Sequence, residues 1–115
     1  MPTDLGLPEQ IPERTRRRAR PFGQLVVWDR SSAQTLLSDL QDTKVAIVRG
    51  EAYLVSSEGA VPVEDWYCGR LRGELAIDYA RRSRELAASY VGRHHDQVIG
   101  AAFFALDFDP QDAAA

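Results

Sequence analysis

Apolar and polar positions fall into blocks along the chain, and the period of each block predicts an element. Gln24-Leu-Val-Val-Trp28 is a β-branched and aromatic run bounded by Gly23 and by Asp29-Arg30-Ser31-Ser32, which predicts a short strand. Ala33, Leu36, Leu37 and Leu40 then recur at helical spacing, and Ser31 or Ser32 can accept from the free N–H groups of a first turn, so a helix follows. Asp42-Thr43 ends it. Val45-Ala-Ile-Val48 and Ala52-Tyr-Leu-Val55 flank Arg49-Gly50-Glu51. Gly50 can take a positive φ without a Cβ clash, so these two runs read as a tight hairpin. Ser56-Ser-Glu-Gly59 reads as a second turn, and Val61-Pro62-Val63 as an edge strand, because proline has no N–H to donate to a ladder.

The most strongly periodic block predicts a long helix from about Gly73 to Val91. Leu75, Tyr79, Leu86 and Tyr90, with Ala76, Ala80, Ser83 and Ala87 beside them, form one apolar stripe, while Arg81, Arg82, Arg84 and Glu85 lie mostly off it. Gly92 is the expected stop, with Arg93, His94 and His95 at the negative end of the helix dipole. The run Val98 to Phe108 is almost continuously apolar, as expected of a strand covered on both faces. The predicted order is β-α-β-β-α-β. It specifies an α+β fold, a small antiparallel sheet packed by two helices; a ferredoxin-like split βαβ arrangement satisfies it, and so do other antiparallel sheets with two helices.

Composition refines this picture at the ends. Residues 1–21 contain Pro2, Pro8, Pro12 and Pro21, no aromatic residue, and the run Arg14-Thr-Arg-Arg-Arg-Ala-Arg20, and so read as a disordered Arg/Pro-rich arm. Residues 22–110 form the expected single α+β domain, and 111–115 a flexible tail. A domain of about 90 residues buries roughly 60–65% of the surface of its unfolded chain, enough for one core. Residues 1–20 hold five Arg against three acids, a net +2, whereas residues 21–115 hold nine basic and fourteen acidic groups, a net −5. No apolar run approaches the ~20 residues that span a bilayer. The polar N-terminus does not resemble a signal peptide, and Cys68 as the single cysteine suits a reducing compartment, so a cytoplasmic location is expected and no membrane partner.

Candidate chemistry is sparse. The Arg14–Arg20 run could meet phosphates, but it lacks interleaved aromatics for base stacking and is followed by an acidic body. Cys68 with His94 or His95 would make a thiol nucleophile and base, yet no oxyanion element accompanies them, and a lone Cys beside Trp66-Tyr67 reads as a small core residue. His94-His95-Asp96 lacks the i, i+4 spacing of a metal site, and the eight glycines are too scattered to cradle a phosphate. The expectation is no enzyme, no cofactor and no metal. The segment Glu58–Gly73 stands apart, because it combines acids, aromatics and arginines of the kinds that concentrate at protein interfaces. Glu58, Glu64, Asp65 and Tyr67 are the expected partner-binding residues, facing outward around an inward Trp66, in a segment that reads as loop.

Val45–Tyr53, then Trp66-Tyr67-Cys68, then Asp78-Tyr79 and Arg82-Ser83 with Ala87 and Tyr90 together resemble the Immunity protein 40 family. The likeness spans roughly residues 36–108. In that family a hydrophobic strand runs into Gly-Gly-Asp-Val-Tyr, where this chain has Arg49-Gly50-Glu51 before its Ala-Tyr. The resemblance implies an inhibitor that binds and neutralises the cognate toxin domain of a bacterial polymorphic toxin system. It implies no particular contact residues. The other reading left open is a small nucleic-acid-associated or regulatory protein that acts through its basic arm.

Overall fold

The computed structural model describes residues 6–111. Along the chain run α1 (Glu13–Arg16), β1 (Arg20–Phe22), β2 (Leu25–Asp29), α2 (Arg30–Asp39), β3 (Ala46–Ser56), β4 (Gly59–Tyr67), α3 (Ala76–Arg93) and β5 (Ala101–Asp109). The fold is α+β. Five strands make one antiparallel sheet in the order β1-β2-β5-β3-β4, with the helices against one face. Both βαβ units are split: β5 lies between β2 and β3, and β3 lies between β4 and β5. A ferredoxin-like sheet would place the last strand at an edge; here β5 is central. That position accounts for its apolar run, although burial alternates along it, with Ala102, Phe104 and Leu106 buried and the residues between them only partly covered.

Alternation decides the core. Trp28, Ile47, Ala52, Trp66, Phe104 and Leu106 project from the strands to meet Leu36, Leu37 and Leu40 of α2 and Ala87 and Val91 of α3. α2 begins at Asp29, whose Oδ1 accepts from the Ser32 N–H at 2.7 Å, so the cap precedes the two serines expected to supply it. Asp42, at φ 66°, turns the chain out of the helix. α3 runs through Gly92 to Arg93, and Val98 and Ile99 sit exposed in a turn closed by paired bonds between Gln97 and Gly100, outside β5.

The expected hairpin at Arg49-Gly50-Glu51 does not form. β3 passes straight through Gly50, and the hairpin closes at Ser57-Glu58, within the second turn read from the sequence. Gly50 has a packing role instead: a Cβ there would lie 2.1 Å from Cζ2 of Trp66, so the missing side chain makes the space in which the indole lies. Trp66 is buried and stacks on Tyr90, with ring centroids 4.5 Å apart and planes 8° from parallel.

Residues 7–20 differ most from expectation. They were read as part of a disordered arm, but Leu7 and Ile11 enter the main core and β1 extends the sheet. Arg16 clamps the entering chain by donating from Nε to Ile11 O at 2.9 Å and from Nη2 to Pro8 O. The Thr15 hydroxyl donates to Asp39, and Arg18 reaches Thr35 and Ser31 of α2 at 3.3 and 3.1 Å. Pro8 and Pro12 leave room for only a short helix here, but two apolar side chains, Arg16 donating to carbonyls and Arg18 donating to hydroxyls dock the segment. Residues 1–5 of the expected arm and 112–115 of the expected tail lie outside the described residues. Gln111 donates through its side-chain amide to Lys44 O and Ala76 O at 2.7 and 2.9 Å.

Candidate partner-binding site

Glu58 to Tyr67 belong to a hairpin turn and an edge strand, not to a loop, and strand alternation sorts the four expected contact residues. Trp66 faces the helices, and Glu64 shares its face. Asp65 and Tyr67 point to the opposite, helix-free face of the sheet, where their cross-strand neighbours are Glu51 and Arg49. Glu58 is exposed at the hairpin tip, roughly 23 Å of strand away from Asp65 at about 3.3 Å per residue. The four residues therefore form no single patch. Asp65 and Tyr67 come together, Glu58 stands apart, and Glu64 is turned away.

Glu64 is committed within the fold. Its Oε1 lies 2.6 Å from Nε2 of His94 and its Oε2 accepts from Arg93 at 3.2 Å. The bond from His94, helped by Arg93, holds this carboxyl below its usual pKa. Edge strand β4 is thereby tied to the end of α3. The outward assignment of Glu64 treated the segment as loop; in a strand, a residue two before an inward Trp must also face in.

Beyond Tyr67 the chain enters a short loop, Cys68 to Leu75, ordered by side chains of α3 together with its own Arg70 and Glu74. Tyr79 donates its buried hydroxyl to Cys68 O at 2.7 Å. Arg82 forms a two-point ion pair with Glu74, at 2.8 and 2.7 Å, and donates to Gly69 O at 2.8 Å. Glu74 also accepts from the Leu71 N–H, and its backbone carbonyl accepts from Arg70 at 3.1 and 2.9 Å. The Arg82 hydrogen bonds, with that N–H, lower the Glu74 carboxyl from 4.5 to about 2; in return Glu74 pushes Arg82 further up. Ser83, one residue on, accepts from the Ile47 N–H at 2.9 Å beside the irregularity in β3. The Tyr79–Arg82–Ser83 step is a clamp between α3, β3 and this loop. Nothing in the helical pattern separates Arg82 from its solvent-facing neighbours, and the partner that distinguishes it, Glu74, lies one residue before the apolar stripe begins at Leu75.

Arg84, assigned off the stripe, is buried and donates to Thr43 O and Val45 O at 3.1 and 2.8 Å, bracing the start of β3. Burial, and then nearby Arg81, lower its pKa. With Leu37, Gln41, Arg81 and Glu85 it lines a groove of about 700 Å³ between α2 and α3. Cys68 is buried and accepts from Arg82 Nη1 at 3.2 Å. It packs against Tyr79 and Ala80 in the first turns of α3, whereas His94 and His95 follow the far end, roughly 22 Å along the helix axis at about 1.5 Å per residue, so no thiol–imidazole pair exists. Among the described residues no three His, Cys, Asp or Glu side chains converge as metal ligands, and no helix is long and apolar enough to cross a membrane.

Of the arginine run expected to reach phosphates, Arg16 is half-buried while Arg14, Arg17, Arg18 and Arg20 stay exposed. Arg16 and Arg18 hold the segment in place, Arg17 pairs with Glu13, and Arg20 lies over the Phe103 ring at 5.4 Å.

A family model described as Immunity protein 40 matches residues 24–107, the stretch from the start of β2 through β5. No curated protein and no solved structure matches the chain.

Proposed function

The chain belongs to the Immunity protein 40 family, and from that premise we propose that it neutralises a cognate bacterial toxin domain by binding it directly, in the cytoplasm of the producing cell and without catalysis. The observation that carries the reading is the family match, which runs through both long helices and four of the five strands. The character of the polar groups supports it. Arg82, Glu74, Ser83, Arg84 and Glu64 all serve to hold backbone segments together, and none is arranged as a nucleophile with its base.

In this reading the toxin meets the β4 side of the sheet. Asp65 and Tyr67 make contact there, and Glu58 at the hairpin tip acts at a distance as a steering charge. Residues 21–115 carry a net −5, which draws in a basic partner, and such exposed charges act mainly on the rate of encounter. The test is co-expression of the toxin domain with the wild-type chain and with a Glu58→Lys/Asp65→Lys variant. Growth rescue is expected from the wild type, with association by the variant slowed about tenfold at low salt and less at high salt, because screening acts over about 10 Å at 0.1 M. A wild-type chain that gives no rescue would overturn the reading.

A further inference from the structure

The loop after β4 is ordered far beyond what the core requires, and what it carries is exposed. Tyr67, Leu71 and Leu75 are 70%, 59% and 64% accessible, all within nine residues. None of them helps to fill the core, yet the backbone that presents them is fixed at Cys68, Gly69, Leu71 and Glu74 by side chains of Tyr79, Arg82, Glu74 and Arg70. Ordering a segment in advance lowers the entropy lost when it binds. Three large apolar side chains on a rigid backbone are a costly surface to leave in water, and they have the composition of an interface centre.

The charges around them indicate what fits. Arg49, the cross-strand neighbour of Tyr67, is exposed, and so are Arg70 and Arg72. Arg49 lies opposite Asp107 of β5 and shares its sheet face with Glu51 and Asp65, whereas Arg70 and Arg72 of the loop itself have no carboxylate within ion-pairing distance among the described residues, and Glu74 and Asp78 are already paired with Arg82 and Arg81. The loop that carries the apolar side chains is therefore itself locally basic, with Arg70 and Arg72 exposed on either side of Leu71. We infer that the Tyr67–Leu75 loop is the anchor of the interface, and that it docks a toxin surface with an apolar centre flanked by carboxylates. The inference rests on the toxin-binding reading and sharpens it. Asp65 then lies at the rim, and the loop supplies the residues that control dissociation.

Surface plasmon resonance on the toxin domain encoded beside this chain's gene tests it. Tyr67→Ala and the pair Leu71→Ala/Leu75→Ala are expected to speed dissociation at least about tenfold, the usual mark of a central anchor. Val98→Ala/Ile99→Ala removes equally exposed apolar side chains from the opposite end of the sheet and is expected to change it less than about twofold. Arg72→Glu is expected to slow association most at low salt. Should Tyr67→Ala fail to fold, the Leu71/Leu75 pair decides. Tight wild-type binding that is unchanged by the loop substitutions overturns the inference and leaves toxin binding intact. A wild-type chain that does not bind the toxin domain overturns both.

Discussion

Two arginine-rich segments of this protein look alike in sequence and do opposite things. Residues 7–20 and residues 68–75 are both short of regular apolar periodicity, and both are pinned by guanidinium groups donating to backbone carbonyls. In the first, Arg16 folds Pro8 and Ile11 back toward the body and Leu7 and Ile11 are driven into the core. In the second, Arg82 and Arg70 fix the backbone while Leu71 and Leu75 are turned to solvent. The same interaction serves burial in one place and display in the other. An ordered polar segment is therefore explained by the fold only when its apolar side chains point inward; when they point outward, the order needs another purpose.

The largest effect that separates the two lies in stability. Ile11→Ala is expected to cost about 2–5 kcal/mol by the loss of a fully buried side chain and the cavity left behind. Leu71→Ala, equally conservative in chemistry, is expected to stay within about 0.5 kcal/mol. Urea denaturation of the two variants gives both values. An Ile11 variant as stable as the wild type would mean that the N-terminal segment does not dock.

A smaller effect is expected in acid. The carboxyl of Glu74 is held at about 2 in the folded chain, below its unfolded value of 4.5. Its contribution is therefore present above pH 4.5 and is lost as pH falls toward 2. Glu74→Gln should remove that part of the pH dependence, so the gap in melting temperature between wild type and variant should close between pH 5 and 2. A gap that stays constant through this window would show that the Arg82 pair does not stabilise the folded loop.

The contrast also explains which parts of the molecule were legible in the sequence. The strand around Trp28 and the long helix follow from local periodicity, and so does the α+β class, while the inward Trp66 follows from residue type alone. Gly50 was misread because glycine signals two different things, a free φ and a missing Cβ. Only the distant Trp66 ring shows that the second applies. Leu7 and Ile11 are not legible locally, because the core they join is built from residues 28–106, beyond any local window. Glu64 was assigned to the surface because its segment read as loop; once β4 is a strand, the inward Trp66 fixes Glu64 on the same face. Of the four expected contact residues, Asp65 and Tyr67 emerge side by side. The loop after Tyr67 falls largely within the Glu58–Gly73 segment expected at an interface, but Leu71 does not stand out there, and Leu75, expected in the apolar stripe of the long helix, instead precedes its first turn and is exposed.

The most direct test of display against burial is hydrogen–deuterium exchange of the full chain with and without the cognate toxin domain. The bonded amides of Cys68, Leu71 and Glu74 should already exchange slowly in the free protein, and residues 67–75 as a whole should gain protection on binding, while residues 7–20 should be protected to the same extent in both states. Protection gained in residues 7–20 and absent from 67–75 would contradict the account, because it would make the arginine-rich N-terminal segment the contact and the loop after β4 only a connection.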